Sequence, residues 1–274
     1  MDKIIAENRS WINGQPQDYI PINDRAIQFG DGCFTTARIR NGNIDWLAAH
    51  LQRLQQGCER LFITKVNWYK VEQEMKEVAN TYQDGVLKVI LTRGNNGGHG
   101  YSVFNCTQPN RILYFSPWQN YYQRLHINGA KLILSHLRLT KNQVLAGIKH
   151  LNRLEQVLIR IQIDQNHADE ALVLDTQGMI VECCSANIFW RKKIQVFTPC
   201  LHEVGIKGIM RHNIITFLSN SKYEVHEVQE SMETITDADE VIITNAVMPV
   251  LPVCQIGNCW YQSRELYNML ITNY

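Results

Sequence analysis

Three short segments of the sequence carry groups that could act on a small molecule. Lys149 stands where a coil gives way to a helical pattern of apolar residues. Glu182 lies in the apolar run Val181-Glu182-Cys183-Cys184, where a carboxylate needs a cationic partner because burying an unpaired charge is costly. A protonated pyridine nitrogen would be one such partner. Residues 205–208, Gly-Ile-Lys-Gly, lead into a second helical pattern, and the free backbone amides of a helix N-terminus suit a phosphate.

Each of these segments also has a purely structural interpretation. Most lysines are solvated, so Lys149 could simply face water. Glu182 could lie on an edge strand and point to solvent. A glycine before a helix is commonly a turn residue for steric reasons alone. The residues by themselves leave these alternatives open.

The composition fits a globular protein of one large or two smaller domains. Of 274 residues, 45% are hydrophobic and 19% are charged. The net charge is +1 with both signs mixed along the chain, which excludes a strong field for nucleic acid or an anionic membrane. The first nine residues lack the apolar core of a signal peptide, and no run approaches the roughly 20 apolar residues of a membrane span. We therefore expect a cytoplasmic enzyme of small molecules, without membrane partners.

The eight cysteines show neither a CxxC motif nor the Cys/His spacing of a zinc site. We expect them to be reduced and mostly buried, and we expect no metal.

Periodic patterns predict the elements that must position these residues. Residues 1–116 indicate a smaller α/β lobe, with strands at 33–39, 85–93 and 111–115, helices at 46–61 and 69–82, and a hairpin turn at Asn41-Gly42. A linker is predicted at 117–124 because a proline interrupts the pattern there. The larger lobe, 125–274, mixes strands and helices without a regular βαβ rhythm. The predicted fold class is therefore α+β in two lobes.

In the larger lobe, strands are predicted at 130–134, 171–174, 179–184, 187–191, 195–198 and 240–244. Helices are predicted at 150–163, at 209–218 and after Ser263. The first of these helices has an apolar stripe of Leu151, Leu154, Leu158 and Ile161.

Several long motifs occur in the order of a known family. They are Phe-Gly-Asp-Gly-Cys-Phe-Thr-Thr-Ala-Arg at 29–38, Gly-Ile-Lys-His-Leu-Asn-Arg at 147–153 and Thr-Asn-Ala-Val-Met-Pro-Val at 244–250. With the segments around Glu182 and 205–210, they resemble the fold-type-IV pyridoxal-phosphate enzymes from about Asn13 to Leu251. This family includes the branched-chain and D-amino-acid aminotransferases and the aminodeoxychorismate lyases, and the motifs are most similar to the lyase branch. The resemblance implies the D-amino-acid aminotransferase-like fold and pyridoxal 5'-phosphate as cofactor.

The resemblance also implies roles for individual residues. Lys149 would bind the cofactor covalently and move protons, and Glu182 would keep the pyridine nitrogen protonated. Arg53 would grip the phosphate with its fork-shaped guanidinium. The remaining phosphate contacts would be the amides of Ile209 and Met210 and a late-strand group, Thr244 or Asn245.

Two further residues match positions near the substrate. Thr36 would lie at the reactive face of the cofactor, where a hydroxyl can relay a proton. Arg93 would meet the substrate carboxylate, and the Gly-rich loop after it could act as a flap. On the residues alone, Arg53 could be a helix-surface arginine, Thr36 an ordinary strand threonine and Arg93 the end of a strand.

Two departures distinguish the chain from the aminotransferases. Ile243 stands where their phosphate-binding threonine lies, and Leu154 stands at the position of their tyrosine near the cofactor hydroxyl. The resemblance therefore implies a lyase that converts 4-amino-4-deoxychorismate to 4-aminobenzoate and pyruvate in folate biosynthesis. It also implies a homodimer with its sites at the subunit interface. An aminotransferase of D- or branched-chain amino acids, and a non-enzymatic binding module on the same fold, remain as alternatives.

Overall fold

The computed structural model describes residues 9–95, 100–106, 108–119 and 121–274. These residues form two compact units. Unit 1 is the chain up to Gln119 together with Ile148–Asn152, and unit 2 is the remainder. The sequence predicted a linker at 117–124, whereas residues 121–124 belong to a helix of unit 2. No sequence signal indicated that Ile148–Asn152 belong to unit 1.

Unit 1 is built on an antiparallel sheet. Its described strands are β1 (Arg9–Ile12), β2 (Gln15–Pro16), β3 (Gly32–Arg40), β4 (Asn43–Ile44), β5 (Gly85–Thr92) and β6 (Asn110–Ser116), in the order β2-β1-β6-β5-β3-β4. Its described helices are α1 (Arg25–Phe29), α2 (Leu47–Arg60) and α3 (Trp68–Tyr82). Cys33 and Ile39 of β3 pack into a core with Leu54 of α2 and Met75 of α3. Since side chains alternate along a strand, Phe34 and Thr36 lie on the opposite face.

Unit 2 is built on a mixed sheet. Its described strands are β7 (Ala130–Leu139), β8 (Glu170–Asp175), β9 (Ile180–Cys183), β10 (Asn187–Lys192), β11 (Gln195–Pro199), β12 (Glu224–Val228), β13 (Glu240–Thr244), β14 (Leu251–Ile256) and β15 (Cys259–Trp260). The order is β12-β11-β10-β13-β14-β7-β8-β9, with β15 on β14. Its described helices are α4 (Tyr121–Asn128), α5 (Leu154–Gln165), α6 (Ile209–Leu218), α7 (Met232–Thr236) and α8 (Glu265–Ile271). The mixture of helices and strands in both units confirms the α+β class.

The helix predicted over 150–163 is wrong in its start. It begins at Leu154, because residues 149–151 pair with β3 instead. Its buried residues are Ile159 and Ile163, whereas Leu154, Leu158 and Ile161 of the apolar stripe are 70%, 45% and 46% exposed. Periodicity locates an apolar stripe, but it does not say whether that stripe faces the core or another surface.

Candidate active site

The backbone around Lys149 is held by two hydrogen bonds to β3. Phe34 N–H donates to the Lys149 carbonyl at 2.9 Å, and Leu151 N–H donates to the Gly32 carbonyl at 3.0 Å. The lysine therefore stands on a short extended segment beside the first residues of β3, not at the start of a helix. An extended, paired backbone fixes the direction in which its side chain leaves.

Two lysine amines lie against the ring of Phe34 on one face of the unit 1 sheet. Lys149 Nζ lies 4.8 Å from the ring centroid, and Lys88 Nζ lies 4.9 Å from it. Both distances are those of a cation–π contact. Thr36 pairs directly with Lys88 in the β3–β5 register, so its hydroxyl lies on this same face. The structure thus brings together Lys149, the predicted Thr36 and Lys88.

Sequence reasoning missed Lys88. Its side chain is half-buried, and burial lowers the pKa of its amine below the ordinary lysine value. Among the residues that the structure describes, no charged group contributes to this shift. The signal was present in the sequence, because Lys88 interrupts the apolar strand pattern between Leu87 and Val89.

Arg53 lies on α2, one turn after the buried His50. Burial lowers the pKa of the Arg53 guanidinium to about 10. Burial and the nearby Arg53 charge lower the pKa of His50 to about 3, so its imidazole is neutral at physiological pH. Thr35 Oγ1 lies 2.6 Å from His50 Nδ1 and fixes the ring.

Arg93 is tied to unit 1 by four hydrogen bonds. Nε and Nη2 donate to the two oxygens of Asp31 at 2.7 and 3.0 Å. Nη1 donates to the Phe62 carbonyl at 2.8 Å, and Nη2 also donates to the Leu61 carbonyl at 2.6 Å. Burial opposes ionisation of Asp31, but hydrogen bonds from Arg93 and Arg25 outweigh it and lower the pKa of this carboxyl.

The substrate role of Arg93 therefore stays a prediction, and it requires the guanidinium to exchange one of these partners. The loop predicted as a flap continues into residues 96–98, which lie outside the described residues.

Glu182 of β9 is only 4% exposed, which excludes the alternative of a solvent-facing glutamate. Its Oε2 accepts the backbone N–H of Ile206 at 2.8 Å. The Glu182 carboxylate also acts on Arg153. Burial lowers the pKa of the Arg153 guanidinium, and the negative charge of Glu182 opposes this shift. A buried carboxylate of this kind suits a cationic ring nitrogen.

The segment after Gly205 prepares the predicted phosphate site. Gly205 has a φ of 83°, in the left-handed region that favours glycine. Helix α6 starts at Ile209, and its N-cap residue Gly208 has no side chain that could cap the first turn. Early amides of a helix lack intrahelical acceptors, so those of Ile209 and Met210 suit an anion.

The two late-strand residues differ in what they can offer. The Thr244 hydroxyl is fully buried and donates to the Pro249 carbonyl. Asn245 Oδ1 accepts the amides of Val247 and Met248 at 2.9 and 2.8 Å, and Nδ2 donates to the Ser185 carbonyl at 3.1 Å. One Nδ2 hydrogen of Asn245 is left for a ligand, because a primary amide has two.

The chemistry of these groups fits pyridoxal 5'-phosphate. Its aldehyde requires an amine, its ring nitrogen a carboxylate and its phosphate several donors. Within unit 1, Lys149 carries an amine and Arg53 a guanidinium. Within unit 2, Glu182 carries a carboxylate and the start of α6 offers amide donors. Over the described ranges, no cluster of three His, Cys, Asp or Glu side chains could hold a metal ion.

The chain is similar to known proteins in both sequence and fold. Residues 32–256 match the model of the amino-transferase class IV family. The chain belongs to this family. It is 33% identical to an aminodeoxychorismate lyase of Vibrio harveyi, over 90% of the chain and 91% of the relative. It is 27% identical to a D-alanine aminotransferase of Bacillus licheniformis, over 86% of the chain and 83% of the relative.

The class IV fold is equally clear from solved structures. A 4-amino-4-deoxychorismate lyase of Pseudomonas aeruginosa superposes with a TM-score of 0.91 and 32% identity, covering 96% of this chain and 97% of that one. The predicted family and the fold-type-IV architecture are confirmed. In the described part of the chain, no helix has both the length and the apolarity to cross a membrane.

Proposed function

We propose that this class IV protein is a pyridoxal-phosphate-dependent lyase that converts 4-amino-4-deoxychorismate to 4-aminobenzoate and pyruvate, a step of folate biosynthesis. The observation that carries the choice of substrate is the second amine, Lys88, on the face that holds Lys149 and Thr36. The proposed substrate has two carboxylates, whereas D-alanine and the branched-chain amino acids have one. A second cation beside the reactive lysine suits the larger dianion. The likeness to lyases along nearly the whole chain supports the same choice.

Different residues of the chain have different roles in this reaction. When bound, the cofactor supplies an electron sink. Lys149 holds the cofactor and, once the substrate amine has replaced it, removes the proton from the carbon that bears nitrogen. Glu182 keeps a proton on the ring nitrogen. The enolpyruvyl group leaves with its bonding electrons and becomes pyruvate on taking up a proton, for which the Thr36 hydroxyl and Lys149 are the donors.

The remaining contacts orient the reactants. Lys88 pairs with a substrate carboxylate in a half-buried site, where a charge-assisted hydrogen bond is strong. Arg53 and the amides of Ile209 and Met210 hold the phosphate. Of the two late-strand groups, Asn245 is the better phosphate donor, because the Thr244 hydroxyl already donates to Pro249.

The products distinguish this reaction from transamination. Purified protein given 4-amino-4-deoxychorismate should release 4-aminobenzoate and pyruvate in equal amounts without an added keto acid, since elimination leaves the cofactor ready for another turnover. With D-alanine or a branched-chain amino acid plus a keto acid, amino transfer should be slow. Rapid amino transfer with no 4-aminobenzoate would contradict the lyase assignment but not the assignment of the cofactor site.

The proposed enzyme is a homodimer. One face of α5 exposes apolar side chains at helical spacing, Leu154, Val157, Leu158 and Ile161, of which even the least exposed is 45% accessible. Such a contiguous apolar face marks an interaction surface, and the family resemblance supplies a second copy of the chain as its partner.

Light scattering after size exclusion tests the dimer. The wild type should have twice the mass of the chain, and Leu158→Glu should have the mass of one chain. Ile194→Glu is the matched control, because Ile194 is also about half exposed but lies in the turn between β10 and β11. A dimeric Leu158→Glu protein would exclude this face.

We also place the enzyme in the cytoplasm, in keeping with its eight free thiols, and cell fractionation tests this.

A further inference from the structure

The Ile206 residue of unit 2 is held by two buried side chains. Its N–H donates to Glu182 Oε2 at 2.8 Å, and its carbonyl accepts from Asn187 Nδ2 at 2.9 Å. Glu182 lies in β9 and Asn187 is the first residue of β10. Side chains from two strands therefore bind one residue of the segment between β11 and α6. Both side chains are more than nine-tenths buried. Water therefore competes little for these bonds.

The same segment also pairs with the chain that leads to Lys149. Gly147 N–H donates to the Gly205 carbonyl at 2.9 Å, and Lys207 N–H donates to the Gly147 carbonyl at 3.2 Å. Gly147 precedes Lys149 by two residues, and Gly208 is the N-cap of α6. Residues 205–208, which we call the 205–208 turn, thus lie next to the starting points of two proposed cofactor contacts within unit 2. These are the Glu182 carboxylate and the amides of Ile209 and Met210.

Asn187 packs closely against the 205–208 turn at Gly208. A Cβ on Gly208 would lie 2.0 Å from Asn187 Oδ1, far inside van der Waals contact. The backbone φ of Gly208 is −66°, a value that any residue adopts. A larger residue at position 208 would therefore require the Asn187 side chain to move, whereas the backbone conformation itself accepts any residue.

We propose that Asn187 is a positioning residue for the cofactor: by binding the Ile206 carbonyl and filling the space against Gly208, it fixes the 205–208 turn. Glu182 and the α6 amides then keep a fixed separation. The proposal rests on the cofactor contacts given under the proposed function. Asn187 acts through the turn and is not itself one of those contacts.

The first test compares Asn187→Ala and Asn187→Asp with the wild type. Asp keeps the shape but loses the donor and puts a carboxylate beside the Ile206 carbonyl. For both variants, titration of the apoenzyme should give about 10- to 100-fold weaker binding of pyridoxal phosphate, the effect of one lost buried hydrogen bond. Binding of pyridoxal, which lacks the phosphate, should weaken less, because a turn that is no longer fixed displaces mainly the α6 amides.

Hydrogen exchange gives a measure that needs no cofactor. In the Asn187 variants, the amides of Ile206 and Lys207 should exchange at least tenfold faster than in wild-type apoenzyme. Asn220→Ala is the matched control, because it also removes a hydrogen bond from an asparagine Nδ2 to a backbone carbonyl, at 3.0 Å, but on the surface after α6. It should leave both affinities and both exchange rates unchanged.

A double variant tests the close fit. Gly208→Ala alone should weaken cofactor binding strongly or prevent folding, whereas Asn187→Ala/Gly208→Ala should fold and bind the cofactor as Asn187→Ala does. Independent, additive losses would overturn the proposal, as would wild-type affinity and exchange in Asn187→Ala. A wild-type protein that takes up no pyridoxal phosphate at all would instead contradict the proposed function.

Discussion

The two units carry candidate cofactor-binding groups of different kinds. Unit 1 presents side chains: Lys149, Lys88 and Thr36 project from one face of a regular antiparallel sheet, with the Phe34 ring beneath the amines. Unit 2 presents a buried carboxylate and backbone amides, whose positions depend on hydrogen bonds to the 205–208 turn. Exchanging a side chain in unit 1 should remove a chemical function while the backbone stays in place. A change in unit 2 should move several contacts together.

The largest effect is expected for Lys149→Ala. Loss of the amine removes both the covalent attachment and the proton-transfer group, so turnover should fall by at least about 1,000-fold. The visible absorption band of the bound cofactor should vanish while the melting temperature stays close to that of the wild type. A large loss of stability would show that Lys149 also stabilises the unit 1 sheet and does not act only through its amine.

Glu182→Gln should have the next largest effect. The glutamine oxygen still accepts from Ile206, but the charge that keeps the ring nitrogen protonated is lost, so kcat should fall by about 100-fold, on the scale of a lost buried charge contact. Glu182→Ala should in addition speed hydrogen exchange at Ile206. Equal exchange in the Gln and Ala variants would show that the carboxylate does not hold the turn.

Arg53→Ala should weaken binding of pyridoxal phosphate by about 10- to 100-fold, the range for hydrogen bonds to a charged group. Pyridoxal without phosphate should bind almost as it does to the wild type. Equal losses for both compounds would mean that the arginine acts through packing of its stem.

A smaller effect, on KM and not on kcat, is expected for Lys88→Met. The carboxylate contact in this half-buried site should be worth about a tenfold change in KM. Because burial lowers the pKa of Lys88, its charge disappears at a lower pH than that of an ordinary lysine. The wild-type KM should therefore rise as the pH increases through this pKa, and Lys88→Arg should delay the rise to higher pH. A pH-independent KM in the wild type would exclude Lys88 from substrate binding.

Local sequence signals located most of the elements. The hairpin turn at Asn41-Gly42 is confirmed between β3 and β4, with both residues at positive φ. Strand β5 and helices α2 and α3 lie within two residues of their predicted ends. In each of these cases, turn chemistry and periodicity act over a few neighbouring residues, so the sequence contains the whole signal.

The features that the sequence did not predict depend on contacts between residues that are far apart in the chain. The extended pairing of residues 149–151 is decided by β3, more than 100 residues earlier, and it overrides the helical pattern there. Likewise, nothing near Glu182 in the sequence indicates that its oxygen binds Ile206, or that Asn187 packs against Gly208. The family resemblance supplied candidate residues, but it did not supply Lys88 or the role of the 205–208 turn.

Borohydride reduction of the holoenzyme, followed by peptide mapping, tests the central claim most directly. The reagent makes the bond between lysine and cofactor permanent, so mass spectrometry identifies the lysine that carries it. We expect one label per chain, on the peptide that contains Lys149, in the wild type and in Glu182→Gln alike. A label on Lys88, on Lys207 or on no lysine would contradict the account.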